Sequence, residues 1–184
     1  MKLELITPPL SLPISLESVK EFLRVIDNDQ DSTIESMIKV AIKHAENITN
    51  RQLGGIATFV LYVDSWEDVR LPKSPTISIE KVEYRDSDEQ LLELDSDMYL
   101  LDRHATPAVV HFFDEMDISS KPNPISITFT AGYETLPVEV EQYIKAQVAT
   151  MYEHREKFVV GASIAEFGSK YIDNLLDSLR IIPI

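Results

Sequence analysis

Apolar residues recur at helical spacing near both ends of the chain and at alternating spacing in the block between. A first helix is predicted over about Leu16 to Val25, with Ser15 as N-cap and Leu16, Val19, Leu23 and either Lys20 or Phe22 on its apolar stripe. The run Asp27-Asn28-Asp29-Gln30-Asp31 interrupts it. A second, longer helix is predicted over about Ser32 to Arg51. Ile34, Ile38, Ala41, Ile42, Ala45 and Ile48 form one face; Lys39, Lys43, Glu46 and Asn50 lie mostly on the other. Asp31 or Ser32 caps it, Ser32 and Glu35 have capping-box spacing, and Gly54-Gly55 ends the segment.

From Ala57 to Thr130 the period falls to two. Ala57, Phe59, Leu61 and Val63 alternate with Thr58, Val60 and Tyr62, so both faces of that strand are candidates for burial. A strand starting at Ile77 and Ile79 changes phase at Val82 and Tyr84, which predicts a bulge. Asp86-Ser87-Asp88-Glu89 reads as a turn into Leu91–Leu94, and Asp95-Ser96-Asp97 as a second turn before Met98–Leu101. Val109–Phe113 and Ile125–Thr130 are the last strands.

A third helix opens at Pro137, where a missing N–H costs nothing. Its face is Val140, Ile144, Val148, Met151, Tyr152 and Arg155, with acids at its start and His154, Arg155 and Lys157 near its end. After an apolar loop, Phe158 to Gly168, a short fourth helix over Ser169 to Leu179 carries Tyr171, Ile172, Leu175, Leu176 and Leu179; Ile181 and Ile182 follow. Burying five such side chains is worth on the order of 7–15 kcal/mol gross. Two uses fit: packing on the chain's own core, or docking on a partner subunit. The order helix, helix, strands, helix, helix predicts an α+β protein: one domain, 1–184, with an antiparallel β-rich insert over 56–131.

A chain of 184 residues needs no staple to hold a core, and it has no cysteine. Disulfide frameworks, thiol nucleophiles and thiolate zinc sites are thereby excluded, and synthesis in a reducing cytoplasm fits. No apolar run approaches the roughly 20 residues of a membrane helix, and the start does not resemble a secretory signal. The formal net charge of −14 has the wrong sign for gripping DNA through its phosphates. Half of that excess lies in Glu83 to Asp102, where eight acids face one arginine. Asp86, Asp88, Glu89, Glu93, Asp95 and Asp97 are its candidate surface: either a solvated hairpin face that protects a sheet edge, or a wall past which DNA slides.

Candidate chemistry is sparse. Asp27, Asp29 and Asp31 open like a calcium loop, but the glycine and closing glutamate positions hold Ser32 and Ile38. His44, His104, His111 and His154 form no metal-binding spacing, and no phosphate-cradling or nucleophile-elbow motif occurs. No metal, cofactor or catalytic residue is predicted. Trp66, the single tryptophan, is expected to anchor the core or a hairpin, with an interface anchor as the other reading.

Six short motifs in order resemble the head–tail connector (adaptor) family of tailed bacteriophages. They are Ser15–Lys20 with Leu23-Arg24-Val25; Ile48–Leu53, with Asn50 where glycine is usual; Leu71–Pro75 running into Ile77, Ile79, Val82, Tyr84 and Asp86; Ile127–Tyr133 with Leu136-Pro137; Met151–Glu156, with His154 in place of a common asparagine; and Ile172 with Leu175-Leu176. The resemblance spans about Ser15 to Leu179. It implies a mainly helical subunit with a β insert and no catalytic residues. Such subunits form a homo-oligomeric ring in the virion neck, between the portal and a stopper or tail-completion protein, and extend the channel through which DNA passes without tight binding. A different tail-completion or assembly factor is the alternative, and an Asp/Glu/His hydrolase a more distant one.

Overall fold

The computed structural model describes residues 1–153, 172 and 174–181. The chain divides into two compact units. One takes in Met1–Leu10 and Gly55–Tyr133, the other Ser11–Gly54 and Glu134–Ile184.

The first unit is built of strands. A five-stranded antiparallel sheet has the order β1 (Lys2–Thr7), β2 (Ala57–Val63), β8 (Ile125–Ala131), β4 (Thr76–Arg85), β5 (Leu91–Glu93). A three-stranded sheet has the order β3 (Val69–Arg70), β7 (Val109–Phe112), β6 (Tyr99–Asp102). β2 and β8 pair without a break from Ala57↔Ala131 to Val63↔Ile125. Alternation therefore sends Phe59, Leu61, Ile125, Ile127 and Phe129 to one side, where they are buried together with Val69 and Val110 from the smaller sheet. The opposite side carries Thr58, Tyr62, Ser126, Thr128 and Thr130. The phase change read in β4 is realised as register shifts at Thr76/Ser78 and Ile79/Lys81, which return Val82 to the core. Trp66 is a core anchor: its indole N–H donates to the Met116 carbonyl at 2.9 Å, and it meets Tyr84 and Phe112 edge-on. Gly132 closes this unit at φ 134°, where an added Cβ would run into the Gly55 backbone.

The second unit holds α1 (Leu16–Leu23), α2 (Asp31–Thr49) and α3 (Val138–Glu153). The Ser15 hydroxyl accepts from the Ser18 N–H at 3.1 Å, so the predicted cap forms. α1 ends at Leu23, short of Val25, because Arg24 turns left-handed and the Val25 N–H returns to the Lys20 carbonyl at 3.0 Å. The capping box at Ser32 does not form. Asp31 is already helical, and its carboxylate takes Lys20 Nζ at 2.6 Å. α2 stops at Thr49 because Asn50 adopts φ 57°, earlier than Arg51 and without need of the two glycines. Val19, Ile34, Ile38, Ala41, Ala45, Val140, Tyr143, Ile144 and Val148 form the buried centre of this unit.

The expectation of a mainly helical fold, led by two N-terminal helices, is overturned. Eight strands in two sheets make up one of the two units, and the chain enters through β1 before either helix. Lys2-Leu3-Glu4-Leu5 does alternate, but a stretch this short becomes a strand only when a distant partner, here β2, accepts its hydrogen bonds.

Candidate assembly surfaces

The acidic stretch runs from the end of β4 through β5 into β6. Its six candidate carboxylates have two kinds of role. Asp86 is half-buried and builds the turn: one oxygen accepts the N–H groups of Asp88 and Gln90, both at 2.9 Å. Glu89 sits left-handed at φ 64° and ties the turn to the loop before β8. It accepts from the Ser119 hydroxyl and pairs with Lys121 at 3.1 Å. These two partners, the Ser119 hydroxyl first, hold its carboxyl below the usual glutamate range. Asp88, Glu93, Asp95 and Asp97 are exposed. Glu93 lies opposite Glu83 across the β4–β5 pair, and Lys81, bound to Glu83 at 2.9 Å, is raised mainly by that hydrogen bond, with Glu93 and Glu80 adding to it. Like charges in register weaken a hairpin, so this one relies on Lys81 to offset them. The strand-rich unit as a whole has 16 acids against seven Lys and Arg, which locates most of the negative excess there.

The C-terminal candidates divide differently. Tyr171 and Ile182 lie outside the described residues. Ile172, Leu175 and Leu179 are half-buried. Leu176 has no exposed surface, and Ile181 is buried. Asn174–Leu179 form a 3₁₀ turn packed on α2 and α3, in place of the last part of the predicted helix. The end of α2 holds this segment by its backbone. Arg51 Nε donates to the Leu179 carbonyl at 2.6 Å, Asn50 Nδ2 to the Ile181 carbonyl at 2.8 Å, and the Ile181 N–H to the Thr49 carbonyl at 2.9 Å. Leu176 and Ile181 are therefore enclosed within their own unit; among the described candidates, Ile172, Leu175 and Leu179 keep part of their surface exposed.

Sequence reading did not single out Glu46, which holds the chain leaving α2. One of its oxygens accepts the N–H groups of Leu53 and Gly54 at 3.1 and 3.0 Å. Its place on the polar face of α2 gave no signal of that. Tyr143, fully buried and hydrogen-bonded to His44, was likewise absent from the predicted α3 face. Among the described residues, no group of three His, Asp or Glu is placed to hold a metal ion, and no helix is long and apolar enough to cross a membrane.

Residues 13–99 match the family described as phage gp6-like head-tail connector protein. The chain resembles the head–tail connectors. The match takes in the α1 and α2 motifs and the proline-bracketed β4 strand on which the sequence resemblance rests. Comparison with curated proteins found no match. Among solved structures, a chain of the virion of a native gene transfer agent particle is 21% identical, with a TM-score of 0.79. A chain in the neck of an empty particle, computed with C6 symmetry, is 20% identical with a TM-score of 0.80. One in the neck of a native particle, computed with C12 symmetry, is 22% identical with a TM-score of 0.71. In each case the alignment covers 100% of this chain and 97% of the other. This connector-like chain and those particle chains share a fold.

Proposed function

We propose that this protein is a structural subunit of a homo-oligomeric ring at the head–tail neck of a phage-like particle, acting as a single connector domain and catalysing no reaction. The observation that carries the reading is the full-length fold shared with chains of particle necks, joined to the connector-family match over 13–99. A ring requires two different, complementary flanks on each subunit. The portal would meet one end of the ring and a stopper or tail-completion protein the other, with Ile172, Leu175 and Leu179 supplying apolar surface to a neighbour. Asp88, Glu93, Asp95 and Asp97 would face the DNA passage. Carboxylates release no phosphate counterions and give DNA nothing to hold, which suits a passage the genome must traverse in both directions.

The test is to purify particles carrying a tagged chain and locate it by electron microscopy, together with its solution mass alone and with the portal protein. Density at the neck and a mass that rises to a ring on adding portal are expected. Particles that lack the chain would sink the reading.

A further inference from the structure

Among the described residues, the five-stranded sheet has two free edges, β1 and β5. Every pairing between them is antiparallel, and there are four, so β1 and β5 run in the same direction. The register also fixes which side chains share a face. Leu5 stands opposite Phe59 and Leu92 opposite Tyr84, both on the side that carries the core. Between these edges Phe59 and Phe129 are buried, yet Leu5 is 53% exposed and Leu92 39%. The apolar side of the sheet is thus closed in its middle and open at both rims. Of the usual protections against strand pairing, the rims have a short strand, β5 with three residues, and a register irregularity between Leu5 and Thr7 in β1, but not a blocking proline or a central lysine. No proline lies within β1 or β5, β5 has no lysine, and the lysine of β1 is its first residue, already paired with Glu4 at 2.8 Å.

We propose that, in the ring, β5 of one copy pairs in parallel with β1 of the next, continuing the five-stranded sheet from subunit to subunit. This rests on the ring reading above. The direction follows from symmetry. A small rotation from copy to copy keeps the same face of the sheet toward the core, so two strands that run alike within a copy run alike across the junction. A β1-to-β1 contact would instead be antiparallel and would close at a dimer. Aligning the core-side leucines, Leu92 beside Leu5, sets the register. It brings Leu91 beside Glu4 and Glu93 beside Ile6, so neither carboxylate of these two strands meets another across the junction. β5 has only three residues, which makes the junction dependent on the rest of the ring for its strength.

The chain has no cysteine, so cross-linking reads the junction directly. In the double variant Leu5→Cys/Leu92→Cys, partners across the junction fall about 4.8 Å apart, within disulfide range, while within one copy four strand spacings separate them by about 19 Å. Oxidised particles should give a ladder of covalent multiples on a non-reducing gel, and each single variant only monomer. A neck-located ring without a ladder overturns the junction and leaves the ring reading standing. Absence of the chain from particles overturns both. Dimers from Leu5→Cys alone would replace the proposal with β1-to-β1 pairing. If the double variant fails to incorporate, Leu92→Lys decides. Normal monomer melting with loss of the ring is expected, and an unchanged ring mass refutes the junction.

Discussion

Truncating Leu176 to alanine separates the two uses that the apolar C-terminus could serve. The side chain has no exposed surface and packs in the helical unit, on α2 and α3. Removing three carbons forfeits about 2.4 kcal/mol of transfer free energy at about 0.8 kcal/mol per buried CH₂. The cavity left behind adds to this, because the ends of α2 and α3 cannot collapse fully into it; large-to-small changes of this kind cost about 2–5 kcal/mol. The backbone ties from Arg51, Asn50 and Thr49 hold the turn in place, so the cavity is expected to persist and the loss to be about 3 kcal/mol. Urea denaturation of the monomer, followed by circular dichroism at the helix band, measures it, and Leu175→Ala at a half-buried site should cost clearly less. A Leu176→Ala monomer within about 0.5 kcal/mol of the parent, combined with a defect in assembly, would refute the reasoning and return this residue to the partner interface.

Trp66→Phe removes an indole N–H bonded at 2.9 Å to the Met116 carbonyl and shrinks a core ring, for an expected loss of about 2–3 kcal/mol in denaturant titrations. Gly132→Ala forces a side chain into a left-handed conformation against the Gly55 backbone. It should cost at least the roughly 1–2 kcal/mol of the conformation itself, and an unchanged melting temperature would contradict the packing described. Glu89 has a folded-state pKa below its ordinary value, so its contribution is present above the ordinary glutamate range and fades as pH falls through the lowered value. Glu89→Gln should therefore melt below the parent at neutral pH, with the two curves converging in acid; a gap that widens in acid would reverse the assignment.

Much of this protein is local and was legible in the sequence. The Ser15 cap is written in adjacent residues, and so are the helical stripe from Ile34 to Ala45, the two-sided apolar pattern of β2, the alternation of β8, and the phase break in β4. Each is set by backbone periodicity and by side chains that act within a few positions of themselves. The connector motifs were legible for the same reason. Tertiary structure decided whatever depends on a partner far along the chain. Six residues at the start became β1 only because β2 lay open to them, and that turned an expected helical protein with an insert into one with a strand-built unit. Periodicity showed that Leu175 and Leu176 were apolar, but only packing against α2 and α3 divided them, one half-buried and one wholly enclosed. The acids from Asp86 to Asp97 look alike in a row. Hydrogen-bond geometry alone sorted them into two that build a turn and four that face solvent, because a carboxylate's role depends on which N–H and hydroxyl groups the fold brings to it.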